Sequence, residues 1–87
     1  MEKLLDVAGQ YRTGGESISF SLVIFSPKKD PDSGDYYCQI LSPELFSSAM
    51  NVFGVTPKQS ARLAFKMVNA KLVALITRPF SDEILEG

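Results

Sequence analysis

Hydrophobic and polar residues alternate most clearly in the segment SISFSLVIF, residues 17–25. A two-residue period places one apolar row on one side of an extended chain, so the segment predicts a β-strand with one buried face. The segment LLDVAGQYR, residues 4–12, alternates more weakly, and TGGE, residues 13–16, supplies two glycines for a tight turn. We therefore expect two strands joined by a turn. The apolar row of the second strand consists of Ile18, Phe20, Leu22 and Ile24.

The next segment with β-forming residues is YYCQIL, residues 36–41, which predicts a further strand with Cys38 and Ile40 on one face. Residues 26–35 separate it from the preceding strand. They contain two prolines, a glycine and three aspartates, and Pro27 is expected to end the preceding strand. This composition predicts a loop.

Residues 42–53 fit two structures. The order Ser42, Pro43, Glu44 is typical of a helix start, because serine caps helices and proline is favoured in the first turn. Phe46, Met50 and Val52, by contrast, also fit the alternation of a strand. The local pattern leans towards a helix.

The strongest predicted element is a helix at residues 57–77. Thr56 and Gln59 have the spacing of a capping box, and a proline occupies the first helical position. Pro79 is expected to end the helix, since proline lacks the backbone N–H and restricts the residue before it. The remaining tail is expected to pack loosely or fray. Its apolar residues are Phe80, Ile84 and Leu85.

This helix carries three stripes when its residues are spaced by 100°. The stripe expected to cover the sheet consists of Ala61, Ala64, Phe65, Val68, Leu72, Leu75 and Ile76. A polar stripe contains Lys58, Arg62, Lys66 and Asn69. The third stripe, predicted to lie nearly opposite the first, consists of Leu63, Met67, Ala70 and Ala74.

The third stripe has the spacing of a helix–helix seam, and its alanines allow close approach. Three interpretations remain open. The residues could be scattered apolar surface, which is common in globular proteins. They could form a symmetric homodimer interface. They could also contact the chain's own tail.

The polar stripe is basic, because residues 45–81 contain no acid and Lys58, Arg62 and Lys66 follow one another along the helix. Such a ridge could bind an anion or a nucleic acid. It could equally be a solvated surface. No aromatic residues are interleaved with the cations as a stacking platform requires, so we do not expect nucleic-acid binding as the main function.

The chain has 87 residues, a net charge of −1, no histidine and one cysteine. This length corresponds to one domain, residues 1–87, with an expected radius of gyration of about 12 Å. Without histidine, a Ser-His-Asp triad and a His-ligated metal site are excluded. No segment resembles a membrane span or a signal peptide, so we expect a cytoplasmic protein.

Three local features could suggest chemistry, and none has the required residues. The cluster DPDSGD, residues 30–35, fails as an EF-hand because Asp35 and Leu41 replace the required glycine and glutamate. Residues 9–16 lack the lysine of a P-loop. Cys38 has no histidine to activate it, and its position in a strand is typical of a buried cysteine. We expect no catalytic, cofactor-binding or metal-binding residues.

Three features follow one another within residues 18–75: a loop rich in proline and aspartate, an aromatic-Cys pair in a strand, and the helix start GVTPKQSARLA. This order resembles a family of small uncharacterised bacterial proteins, a domain of unknown function whose helix start reads G-V-D-x-x-Q-A-x-x-L-A. The chain departs from that pattern at Thr56 and Ser60. The matching residues are Pro27, Asp30, Pro31, Gly34, Asp35, Tyr37, Cys38, Gly54, Val55, Gln59, Leu63 and Ala64.

The resemblance implies a small antiparallel sheet covered by one C-terminal helix, and it makes residues 44–53 a strand rather than a helix. It implies no activity. We therefore expect an α+β domain: an antiparallel meander of three or four strands with one long helix across it. The expected function is non-enzymatic, as a homodimer or in complex with another protein. The alternatives are nucleic-acid or anion binding through the basic stripe, and a small regulatory or immunity-type subunit.

Overall fold

The computed structural model describes the backbone of residues 2–86 and the side chains of residues 2–75. One antiparallel sheet is followed by one C-terminal helix, which confirms the predicted α+β class. The strands are β1 (Lys3–Thr13), β2 (Glu16–Phe25), β3 (Lys28–Lys29), β4 (Tyr36–Leu41) and β5 (Met50–Gly54), and the helix is α1 (Pro57–Glu86).

The strands form a meander in which β4 lies between two neighbours. On one side β4 pairs with β2 through Val23 and Ile24 and then with the two residues of β3. On the other side it pairs with β5 over its first five residues. The segment predicted as a loop therefore contains a short strand, because β3 continues along the same edge of β4 after the interruption at Pro27.

The hairpin of β1 and β2 forms as the alternation predicts. Thr13 pairs with Glu16, and the two glycines between them have φ angles of +57° and +82°. Two consecutive residues with positive φ define a type I′ turn, whose twist matches that of the strands. The Gly14-Gly15 pair therefore fixes the register of the hairpin, which stays regular as far as the pair of Leu5 with Ile24.

Residues 42–49 do not form the helix that their local pattern favours. Ser42 and Glu44 instead bind Ser21 of β2, just beyond the last residue that pairs with β4. The Ser42 hydroxyl donates to the Ser21 carbonyl oxygen at 2.6 Å, and the Glu44 carboxylate accepts from the Ser21 backbone N–H at 2.7 Å. Because the helix-capping groups are used in this way, only a turn forms, and the chain then enters β5.

The core lies between the sheet and α1. Ser60, which was not assigned to the covered stripe, is fully buried there, whereas Phe65, which was assigned to it, is 43% exposed. The side chain of Ile76 lies outside the described residues. The predicted residues confirmed as buried or partly buried are Ala61, Ala64, Val68, Leu72 and Leu75. The sheet contributes Leu22, Ile24, Cys38, Ile40 and Val52.

The start of α1 is capped by the predicted residues. The Thr56 hydroxyl oxygen accepts from the Gln59 N–H at 3.0 Å, and the Gln59 carboxamide oxygen accepts from the Val55 N–H at 2.6 Å. The reciprocal bond therefore reaches one residue further back than in the standard capping box. The bond to Thr56 satisfies one of the N–H groups that a helix start leaves without a partner, whereas the Val55 N–H lies just before the helix.

Pro79 does not end α1, so the predicted end near Thr77 is wrong. The helix continues to Glu86. A proline removes one hydrogen bond, here to the Leu75 carbonyl, and its ring crowds that turn, which bends a helix without necessarily terminating it. The side chains of the predicted tail lie outside the described residues.

The molecule is longer than a compact globule of the same size. Its radius of gyration is 15.3 Å, above the expected value of about 12 Å. The principal extents are 51 × 24 × 19 Å. A 30-residue helix, together with a hairpin that extends beyond β4, accounts for the elongated shape.

The substitution Gly54→Ala tests how closely α1 approaches β5. A Cβ atom at residue 54 would lie 2.6 Å from the Ser60 backbone nitrogen, so the helix would have to shift. We expect a loss of about 1–3 kcal/mol in the free energy of unfolding, measured by urea denaturation. The matched control is Gly9→Ala, where the added atom meets the movable Phe20 ring at 3.1 Å. An equal or smaller loss for Gly54→Ala than for Gly9→Ala would contradict this account.

Candidate functional site

The predicted interface stripe lies on one flank of α1. Leu63 and Met67 are 38% and 37% exposed. With Ala70 and Lys66 they face Val52 of β5 across an apolar groove of about 400 Å³. Ala74 is also exposed, but it does not line this groove. The structure therefore brings three of the four predicted residues together beside the sheet.

The position of this stripe differs from the prediction that it lies opposite the buried face. Ser60 belongs to the buried face and Phe65 does not, which turns the helix so that the stripe approaches β5. Val52, a core residue of β5, lines the sheet side of the groove, and the helix pattern alone could not identify it. We call the groove formed by Val52, Leu63, Lys66, Met67 and Ala70 the flank groove.

Strand β5 has an unpaired edge next to the flank groove. Within the described residues it pairs with β4 alone, and its sequence MNVFG contains neither a charge nor a proline. The opposite edge strand, β1, carries Lys3, Asp6 and Arg12 and has an irregular register near Lys3. Charges and bulges discourage edge-to-edge pairing, so β5 is the less protected edge.

The predicted basic stripe is exposed beside the flank groove. Lys66 lies at the groove itself, and Lys58 and Arg62 precede it on the helix surface. Over the described side chains, none of the three cations has a carboxylate partner, and the ion pair seen there joins Lys3 to Asp6. The stripe is therefore a row of available positive charge without a shaped cavity of its own.

Cys38 forms part of the core, as expected for a strand cysteine. Its sulfur lies 3.7 Å from the Ser60 hydroxyl oxygen, and that hydroxyl donates to the Pro57 carbonyl oxygen at 2.9 Å. The thiol is therefore the donor to Ser60, because the single hydroxyl proton is already used. Burial raises the pKa of the Cys38 thiol above its usual range. A protonated, buried thiol is poorly suited to nucleophilic chemistry.

The aspartate-rich loop at residues 30–35 is a self-contained turn. The Asp30 carboxylate accepts a hydrogen bond from the Ser33 hydroxyl at 2.7 Å, which lowers the pKa of Asp30. Gly34 has a φ angle of +77°, and its N–H donates to the Asp30 carbonyl oxygen. Among the described residues, no group of three or more acidic, cysteine or histidine side chains is placed to hold a metal ion.

The sheet face opposite α1 exposes a second surface that the sequence analysis did not identify. Phe53 is 48% exposed, and its ring lies 5.6 Å from that of Tyr37, centroid to centroid. Strand alternation placed Tyr37 opposite Cys38 but gave no reason to join it to Phe53. The pairing of Tyr37 with Phe53 could be recognised only from the register of β4 and β5.

Comparison with known proteins finds no matching family model, no matching curated protein and no matching solved structure. The family resemblance noted above therefore stays a prediction. Within the described residues, no helix combines the length and the hydrophobicity needed to cross a bilayer.

Cys38 should react with a thiol reagent only when the chain opens. Burial and the raised pKa both reduce the accessible thiolate, so we expect modification by DTNB at pH 8 to be at least about 100-fold slower than in denaturant. The rate is followed by absorbance. Rapid, complete modification of the folded chain would show that Cys38 is not a core residue.

Proposed function

We propose that this protein is a non-enzymatic self-association module that forms a homodimer through the flank groove and the free edge of β5. The observation that carries this proposal is the position of an apolar groove directly beside an uncharged, unpaired strand edge. Both features belong to one continuous side of the molecule, because Val52 contributes to both. A second copy can cover them together.

Symmetry favours a second copy as the occupant. In an isologous dimer, a strand near the two-fold axis meets its own copy running in the opposite direction. Such a pair has the antiparallel hydrogen-bonding pattern that the rest of this sheet uses. Two β5 strands would then join two sheets into one, while Leu63 and Met67 of each copy pack across the adjoining helices.

The exposed area also favours association. The chain exposes 5974 Å², whereas a monomer of its mass is expected to expose about 5100 Å². The excess is roughly 900 Å², and a standard interface buries about 800 Å² per partner. The elongated shape described above accounts for such an excess, and its size is comparable with the area that one dimer contact buries.

The unpaired basic stripe supports a second candidate, an acidic partner protein held in the same groove. This arrangement corresponds to a small regulatory or immunity-type subunit. The two candidates differ in their dependence on salt. Two copies bring Lys66 and Arg62 towards their own counterparts, so screening should strengthen the homodimer. An acidic partner would be held less tightly as salt is added.

Replacing Met67 or Leu63 by glutamate should abolish dimer formation. A carboxylate in the groove would have to be desolvated without a guaranteed partner, at a cost of several kcal/mol. We expect the double variant Leu63→Glu/Met67→Glu to be monomeric at concentrations where the wild type is dimeric. Sedimentation equilibrium at two salt concentrations measures both the mass and the direction of the salt effect.

Phe65→Glu is the matched control, since it places the same charge at a similarly exposed site on the other flank of α1. It should leave the dimer intact. A wild type that is monomeric throughout the micromolar range would refute self-association. Dissociation by Phe65→Glu to the same extent as by Met67→Glu would place the interface elsewhere.

A further inference from the structure

A small pocket lies on the sheet face opposite α1, away from the flank groove. Cys38, Ile40 and Val52 point towards the helix, so the residues that alternate with them point to the other face. The pocket has a volume of about 140 Å³. Its lining residues are Phe25, Ser26, Lys28, Tyr37, Gln39 and Asn51.

The register of the strands brings these side chains together. Lys28 of β3 pairs with Tyr37 of β4, and Gln39 of β4 pairs with Asn51 of β5. Phe25 ends β2 at the interruption before β3, so its ring lies beside the same pocket. Four strands and the connection between β2 and β3 therefore contribute to one site.

The polar groups of the pocket are available for a ligand. Within the described residues, the carboxamides of Gln39 and Asn51 and the ammonium group of Lys28 make no side-chain hydrogen bond or ion pair. Each carboxamide offers N–H donors and a carbonyl acceptor. An aromatic wall combined with a few convergent polar groups is the usual composition of a small-molecule site.

We propose that this pocket binds the ring of a pyrimidine nucleotide. A cavity of about 150 Å³ holds one benzene-sized ring, so the available volume suits a single six-membered ring better than the fused rings of a purine. Tyr37 and Phe25 provide aromatic surfaces for the ring faces. The carboxamides of Gln39 and Asn51 match the donors and acceptors along the ring edge, and Lys28 matches the phosphate.

The ligand can be a free nucleotide or one unit of a single-stranded nucleic acid, because both present the same ring and phosphate. The net charge of −1 means that no overall field attracts a polyanion. Binding therefore depends on stacking and hydrogen bonds, with one ion pair at Lys28. This site differs from the basic stripe of α1, which has no shaped cavity of its own in which aromatic and polar groups converge.

Titration of the full chain with UMP, AMP and an eight-residue oligo(dT), at low salt, tests the proposal by two-dimensional NMR. We expect UMP to shift the resonances of the pocket residues and to saturate, and AMP to bind more weakly. Tighter binding of oligo(dT) than of UMP would identify single strands as the source, and equal or weaker binding would identify the free nucleotide. Either result supports the pocket.

Variants assign the contacts. Tyr37→Leu should weaken binding by roughly fivefold or more, as expected for the loss of one stacking contact, while Tyr37→Phe should retain it. Asn51→Ala removes an exposed carboxamide without disturbing the core and should also weaken binding. Lys28→Ala should reduce the slope of log affinity against log salt by about 0.7, and Lys58→Ala, the matched control on α1, should not.

Three results would overturn the proposal. The first is the absence of saturable shifts with both UMP and oligo(dT) at millimolar concentration. The second is binding of AMP as tight as that of UMP. The third is an effect of Lys58→Ala equal to that of Lys28→Ala, which would move the contact to the basic stripe. Circular dichroism of each variant verifies that the fold is retained.

Discussion

The close contact between Gly54 and the first turns of α1 determines how the helix lies on the sheet. The Ser60 backbone nitrogen occupies the space that a side chain at residue 54 would need. The helix therefore passes directly over the end of β5, with the small Ser60 side chain against Cys38. Ala64 and Val68 then fall on the core, and Leu63 and Met67 are left beside the edge of β5. The close approach of α1 to Gly54 therefore determines which surface is available for association.

The sequence correctly predicted those elements that depend on interactions between residues close together in the chain. The glycine pair predicted the hairpin, and Thr56 with Gln59 predicted the helix start, because the groups involved lie within a few residues of one another. The local pattern of residues 42–49 wrongly favoured a helix because their partner, Ser21, lies more than twenty residues away, and the strand implied by the family resemblance for residues 44–53 forms only from Met50. Periodicity alone cannot reveal a hydrogen-bonding partner on another strand.

The sequence pattern identified the residues of the candidate interface but misplaced the interface relative to the sheet. Its spacing identified Leu63, Met67 and Ala70, but the rotation of the helix depends on Ser60, whose polar side chain gave no reason to place it in the core. Its partner there, Cys38, is on a different element. The proposed pyrimidine pocket was missed for a similar reason, since its lining comes from four strands and the sequence does not specify their register.

The two proposed surfaces do not compete. Pairing of β5 with its copy uses the backbone edge, whereas Asn51 and Tyr37 act from the sheet face. A dimer joined at β5 would place two pockets on the same face of one continuous sheet. The proposed dimer surface and the proposed ligand pocket are therefore separate, and each can be altered by substitution without removing the other.

Hydrogen exchange of the β5 amides as a function of protein concentration tests self-association most directly. If β5 pairs with its copy, the outward-facing amides among residues 50–54 should become protected as the concentration rises from micromolar to millimolar. The outer-edge amides of β1 should exchange at an unchanged rate. Exchange of the β5 amides that is independent of concentration, or protection that appears at β1 instead, would contradict the account.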